Sequence, residues 1–329
     1  MADLTTTYMG LRLPNPVIVS SSELTKTVAG VKKCEESGAG AVVLKSIFEE
    51  QFQVGEESLP EGYGVFPEAL DYLRSGGLLE YAPQKVCRMI EELKKEVKIP
   101  VIASVNCQSN RLWPSFAHQL QEAGADGLEL NIYFLPLDLE ISGKDYEEQH
   151  LQILGEVKKA VSIPVAVKLN YQMTSVPYLA SKLAQAGCDA LVLFNWFLEP
   201  DIDTENLKTR NIIGQGNFRQ SLKWVALLSG RVDCDIASSG GVSSAEDVVK
   251  QILAGASAVQ VCSFFFQKGL KAISSLLRGI ETWMDKHRYP KIDDLKGELC
   301  FKKQELSFKG SGEAEAYFRA QYLKAYSKR

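Results

Sequence analysis

Two turns late in the chain carry residue types that could hold an anion. Ser238-Ser239-Gly240-Gly241-Val242 closes an apolar run (Ile236, Ala237) with hydroxyls and glycines, ahead of a helix-like segment from Ser243 to Ala254. Val261-Cys262-Ser263 closes another run (Ala258, Val259, Val261) with a thiol and a hydroxyl. Glycine lets backbone approach a ligand closely, and the N–H groups at the following helix start favour negative charge. The pair reads either as a phosphate clamp or as two ordinary turns rich in small residues. Other apolar runs also end in polar side chains: Ser20-Ser21-Ser22, Lys45-Ser46, Asn106, Asn131, Lys168 and Asn195. A lysine at the end of a buried run loses hydration unless an anion compensates it. Two lysines therefore ask for a second anion besides a phosphate. A reduced flavin, negative near N1 and the C2 carbonyl, would supply it, and asparagine's paired donor and acceptor suit the amide edges of its pyrimidine-like ring. These groups together point to FMN. A phosphosugar, with Lys45 or Lys168 as a Schiff-base amine, is the competing reading.

Such residues need a scaffold that brings strand ends together. Four segments share one rhythm, beginning Ser37-Gly38-Ala39-Gly40, Ala123-Gly124-Ala125-Asp126, Ala186-Gly187-Cys188-Asp189 and Ala254-Gly255-Ala256-Ser257. In each a glycine stands where a helix should end, and an apolar run follows within about three residues. Two more strands are announced by Ile99-Pro100-Val101 and Ile163-Pro164-Val165, with proline at the first strand residue, where it is tolerated. Runs at 16–20 and 234–237 bring the strands to eight, and helical patterns fall at 28–36, 83–96, 113–122, 146–160, 177–185, 218–228, 244–253 and 265–286. Eight strands alternating with eight helices predict a (β/α)8 TIM barrel, with its site at the C-terminal ends of the strands. An open doubly wound sheet is the runner-up, but no G-x-G-x-x-G supports it. Long connections at 47–82 and 197–217 follow strands, so they would lie over the site as lids or substrate walls.

The bulk properties exclude several classes. A 329-residue chain with 45% hydrophobic and 24% charged residues is globular, and its net charge of −4 comes without a basic stripe for nucleic acid. No apolar run approaches the roughly 20 residues of a membrane span, and the start Met1-Ala2-Asp3-Leu4 has no signal-peptide pattern. Seven scattered cysteines without C-x-x-C spacing argue for a reducing cytoplasm, and against a disulfide framework, a zinc site or an iron–sulfur cluster. His118, His150 and His287 all lie away from strand ends, so none is expected to be catalytic.

The motifs also carry a resemblance. Asn106-Cys107-Gln108-Ser109-Asn110, the segment from Ala123 to Asn131, Val167-Lys168-Leu169, and the run from Gly240 to Glu246 and on through Gly255 to Ser263 resemble the FMN barrel of class 1 dihydroorotate dehydrogenases and of dihydropyrimidine dehydrogenase. Asn15-Pro16, Lys45-Ser46 and Ile292-Asp293-Asp294-Leu295-Lys296-Gly297 match as well, so the resemblance covers roughly residues 8 to 300. It implies an FMN-binding barrel domain over 1–305, with 306–329 as a C-terminal extension packing on the barrel or a partner. Ser20, Ser21, Lys45 and Ser46 would line the isoalloxazine, with Asn106 and Asn131 at its polar edge and Asn195 beside them. Lys168 would stabilise the reduced flavin anion, and Gly240, Gly241, Cys262 and Ser263 would hold the phosphate. Oxidation of a CH–CH bond in a pyrimidine-like substrate such as dihydroorotate, through flavin N5, is the implied activity. A homodimer is implied too, while the electron acceptor varies among relatives and no partner for it is indicated.

The chain departs from that family where the chemistry is done. The family's Asn-Leu-Ser-Cys-Pro-Asn loop, whose Cys or Ser is the base, is here Asn131-Ile132-Tyr133-Phe134-Leu135-Pro136. Phe134 stands at the base position and cannot take a proton; Tyr133 is a weak substitute acid/base, more in keeping with a lid-packing residue. The Asn-Ser or Asn-Thr pair after the sixth strand is Asn195-Trp196, so Asn131, Asn195 and Trp196 would border a reshaped substrate pocket. The flavin shell is kept and the substrate shell rewritten. A substrate other than dihydroorotate, or an FMN-binding relative without dehydrogenase activity, is the consequence.

Overall fold

The computed structural model describes residues 2–48, 83–107, 113–132, 134, 138–196, 198–213, 216–302, 316 and 319–320. The chain enters through a hairpin, β1 (Thr6–Tyr8) and β2 (Leu11–Leu13), then begins a barrel with β3 (Val17–Val19) and β4 (Ala41–Val43). A short β5 (Ile47–Phe48) extends the pairing of β6 (Val101–Cys107). The barrel continues through β7 (Gly127–Ile132), β8 (Val165–Asn170) and β9 (Ala190–Asn195). A separate antiparallel hairpin follows, β10 (Leu198–Asp203) and β11 (Lys208–Ile213), before β12 (Asp235–Ser239) and β13 (Ala258–Val261). Pairing of β13 with β3 and of β4 with β6 closes eight parallel strands into the (β/α)8 barrel. Around it lie α1 (Val28–Glu36), α2 (Pro83–Glu96), α3 (Trp113–Glu122), α4 (Gly143–Ala160), α5 (Val176–Gln185), α6 (Phe218–Leu228) and α7 (Ala245–Ala254). The helix expected at 265–286 is two, α8 (Ser263–Lys268) and α9 (Ala272–His287), because Gly269 at φ +76° ends the first with its N–H on the Phe265 carbonyl. A last turn, α10 (Ile292–Leu295), buries Ile292 and Leu295.

The repeated glycines do what their spacing predicted. Gly38, Gly124, Gly187 and Gly255 have φ of +98°, +97°, +89° and +115°, a left-handed turn that releases the chain from each helix into the next strand. The aspartates in the same motif have a second task. Asp126 accepts the N–H of Val101 (2.8 Å) and Asp189 that of Val165 (2.7 Å), while Lys94 and Lys158 pair with them. Each thus anchors the strand that begins just after Pro100 or Pro164.

Side chains alternate between two layers along every strand. The outer set, including Val19, Val42, Leu128, Val167, Leu191 and Val259, meets the helices. The inner set, Ile18, Ala41, Val43, Ile102, Ala166, Ala190, Val192, Ala237 and Ala258, packs around Tyr8, Met9 and Leu13 of the entry hairpin. The inward alanines leave room for the Tyr8 ring, so the hairpin plugs the N-terminal end of the barrel. Its hold there includes Met9 N–H on the Asp235 carboxylate (2.9 Å) and the Thr6 hydroxyl on the Ser257 carbonyl (3.2 Å). Among the described residues no helix is long and apolar enough to cross a membrane.

Candidate active site

Further along five of the strands, the inward-facing positions turn from apolar to polar. Ile18 is followed by Ser20, Ile102 by Ser104 and Asn106, Gly127 by Glu129 and Asn131, Ala166 by Lys168 and Asn170, and Ala258 by Gln260. All of these polar residues are buried. Register sets Asn106 beside Asn131 and Asn131 beside Lys168 across three neighbouring strands. In a parallel sheet directly paired residues face the same side, so this row looks into the upper barrel.

At its base a network spans the lumen. Lys168 Nζ donates to Gln260 Oε1 (2.9 Å), Glu129 Oε1 (3.4 Å) and Ser20 Oγ (3.4 Å). Gln260 Nε2 donates to Glu129 Oε2 (2.5 Å), and the Ser20 hydroxyl donates to Gln260 Oε1 (3.1 Å). β7 and β13 are diametrically opposed in the barrel, as are β8 and β3, so these side chains meet at the centre. Just below, the Tyr8 hydroxyl is buried with no partner among the described residues. Burial first, then the negative field of Glu129, push it well above the usual tyrosine range.

A hydroxyl chain lines one wall. Ser21 Oγ lies 3.0 Å from Ser46 Oγ, which lies 2.8 Å from Ser104 Oγ, and Ser46 N–H donates to Ser21 Oγ (2.8 Å). Lys45 is ion-paired with Glu23, in the turn after β3. Both lysines therefore find a carboxylate within the chain, and the need for two ligand anions that the sequence implied is relaxed. On the other wall Asn195 Nδ2 donates to Asn131 Oδ1 (2.6 Å). Trp196 stacks on Tyr171 with ring centroids 4.7 Å apart, and its indole N–H donates to the Ser239 carbonyl (3.1 Å).

Of the two late turns, the glycine pair is held by the chain itself. A Cβ on Gly240 (φ +105°) would fall 1.9 Å from Trp196 Nε1, and one on Gly241 (φ +72°) 2.4 Å from the Gly216 carbonyl oxygen. The glycines are thus required by Trp196 and by the loop entering α6, whatever else approaches them. At the second turn, burial raises the Cys262 thiol above its ordinary range, against the opposing influence of Ser22 and Lys168. Ser263 begins α8.

Phe134, at the position of the family's base, packs against a helix. Its ring packs on Tyr146 (5.7 Å) and edge-on to His150 (5.3 Å), both on α4. His150 donates Nδ1–H to the Tyr146 carbonyl (2.6 Å) and leaves Nε2 without a partner among the described residues; burial lowers its pKa to about 4. Tyr133, Gln108 to Asn110 and most of the 47–82 connection lie outside the described residues, as does nearly all of 306–329. Glu129, Gln260 and Ser104 sit inside apolar runs, so the run ends that mark Lys168 and Asn131 do not reveal them. The alternation within each run, such as Leu128-Glu129-Leu130-Asn131, was the available signal. Among the described residues, no cluster of three or more His, Cys, Asp or Glu is placed to hold a metal ion.

Comparison with known proteins bears on the same barrel. The chain is 29% identical over 312 residues to the catalytic subunit of dihydroorotate dehydrogenase B (NAD(+)) of Thermoplasma volcanium, covering 90% of this chain and 98% of that one. It is 29% identical over 310 residues to the corresponding subunit of Methanothermobacter thermautotrophicus, covering 89% and 97%. The sequence model of the family described as dihydroorotate dehydrogenase matches residues 3–284, which span the barrel from the entry hairpin to α9, and the chain belongs to that family.

Proposed function

We propose that the protein is an FMN-dependent oxidoreductase of the dihydroorotate dehydrogenase type, acting on a CH–CH bond of a small substrate that need not be dihydroorotate. The observation that carries the reading is the buried Lys168 ammonium at the base of the barrel mouth, in register with the Asn106 and Asn131 amides. That donor set fits FMN: a fixed cation, amides that can donate and accept, and the hydroxyls of Ser20, Ser21 and Ser46. Lys168 would face the flavin ring's N1 and C2 side, Asn106, Asn131, Asn195, Lys45 and the serines would hold its edges, and Gly240, Gly241, Cys262 and Ser263 its phosphate. When bound, FMN supplies a hydride acceptor at N5. Lys168 then offers positive charge where the reduced ring becomes negative, a contribution fixed before the reaction begins. Asn131 and Asn195, joined by their hydrogen bond, would orient the substrate, and Trp196 on Tyr171 would close the pocket on that side. The protein itself is read as a small-molecule enzyme of the cytoplasm and a homodimer, with the extension at 306–329 on the barrel or on a partner.

A second reading, an FMN-binding member without dehydrogenase activity, draws on Phe134. Its aromatic ring cannot accept a proton, and it packs on α4. The phosphosugar reading is weaker, because Lys168 is ion-paired with Glu129 and held by Gln260, an arrangement that suits a fixed cation better than a nucleophilic amine. Purified protein with an oxidised flavin spectrum supports the proposal, and protein that binds no flavin refutes it. Anaerobic bleaching by dihydroorotate would assign the substrate. Bleaching by dithionite but by no dihydropyrimidine would favour the second reading.

A further inference from the structure

Glu129 and Gln260 have no place in the reading above, yet they are among the most completely buried polar side chains, each 1% exposed. Burying a carboxylate and an ammonium costs several kcal/mol per ion, and apolar replacements of such pairs are often at least as stable. A packed apolar centre would have served the fold, as it does one layer below, where alanines surround Tyr8. The charges at this level therefore call for a role other than stability.

The geometry shows which role is available. Gln260 can take only one orientation, because the reverse would turn its NH2 toward the Lys168 ammonium and its carbonyl toward the Glu129 carboxylate. Its bonds are the short ones, 2.5 Å to Glu129 and 2.9 Å to Lys168. The direct contact from Lys168 to Glu129 and the contact to Ser20 are both 3.4 Å, near the limit of a hydrogen bond. The ammonium is thus tethered through an amide, with two of its donors weakly engaged and free to strengthen toward an anion above.

We propose that Glu129, relayed by Gln260, is a positioning residue for Lys168: it centres the ammonium in the barrel and sets how much of its charge reaches an anionic group bound in the mouth. The inference rests on the flavin reading of that mouth. It assigns Glu129 the opposite influence to Lys168 on flavin reduction, since a carboxylate behind the ammonium moderates its pull on the reduced ring.

The test is the reduction potential of the flavin in the full chain, measured by anaerobic dye equilibration. Glu129→Gln keeps the shape and removes the charge. The potential should become more positive, enough to shift the oxidised-to-reduced ratio at a fixed potential by about tenfold or more, as removal of a unit charge several Å away in a protein interior would. In a Lys168→Met background the same change should do little, because no ammonium is left for the carboxylate to position. No change in the wild-type background overturns the proposal. An equal change in both backgrounds also overturns it, because Glu129 would then act by its own field and not through Lys168. If Glu129→Gln does not fold, Glu129→Asp, which keeps the charge on a shorter arm, is measured in its place. A smaller rise is expected, and no rise overturns the proposal. Protein that takes up no flavin sinks the reading beneath the inference, whereas flavin-loaded variants with equal potentials sink the inference alone.

Discussion

Gly240→Ala tests what the glycine turn is for. The substitution would place a Cβ 1.9 Å from Trp196 Nε1 and 2.6 Å from its Cδ1, at a residue whose φ is +105°. Holding an L-residue in left-handed backbone costs about 1–2 kcal/mol. The indole must also leave, losing its hydrogen bond to the Ser239 carbonyl, worth about 1 kcal/mol, and its stack on Tyr171, worth a similar amount. A loss of about 3–4 kcal/mol in unfolding free energy is expected, read by urea titration with tryptophan fluorescence and far-UV circular dichroism. In a Trp196→Ala background the collision disappears and only the backbone strain remains, so Gly240→Ala should then cost about 1–2 kcal/mol. Equal costs in the two backgrounds would refute the assignment of the glycine requirement to Trp196. FMN titration of the same variants separates packing from ligand approach: binding should stay impaired in the double variant if the phosphate also needs the bare backbone.

Tyr8→Phe removes a buried hydroxyl that has no partner among the described residues, so it should stabilise the protein by about 1–3 kcal/mol and raise its melting temperature; destabilisation would mean that the hydroxyl is satisfied. His150, lowered to about 4 by burial, binds fewer protons folded than unfolded. Its contribution is present above about pH 6.5 and lost as pH falls toward 4, up to about 3 kcal/mol, and His150→Leu should flatten the stability profile in that window. Asp126→Ala leaves the Val101 N–H without its acceptor and Lys94 without its partner, and a loss of about 1–3 kcal/mol by chemical denaturation is expected. Cys34 and Cys234, both pushed up to about 12 by burial, should resist alkylation by iodoacetamide at pH 8 until the protein is unfolded.

The periodic features were legible without coordinates. Gly38, Gly124, Gly187 and Gly255 announced the helix-to-strand turns because left-handed backbone selects glycine wherever it occurs, and the helices at 28–36, 83–96, 113–122 and 218–228 end where their patterns end. Gly269 inside the 265–286 pattern gives no such sign, since a single glycine breaks a helix only where packing turns the chain. The entry hairpin carries no such signature: Tyr8, Met9 and Leu13 become a plug only once inward alanines from five strands make a space that fits them.

For the site, the chain alone determined which strand ends carry Lys168, Asn106, Asn131 and Asn195, because chemistry-bearing residues after apolar runs are visible one strand at a time. Tertiary structure alone decided what those residues face. Lys168 meets Glu129 and Gln260 from strands far away in sequence, and Lys45 turns to Glu23. Gly240 answers to Trp196 and Phe134 to α4. Charge compensation and close packing depend on barrel closure and strand register, and these bring together residues whose separation along the chain gives no sign of the contact.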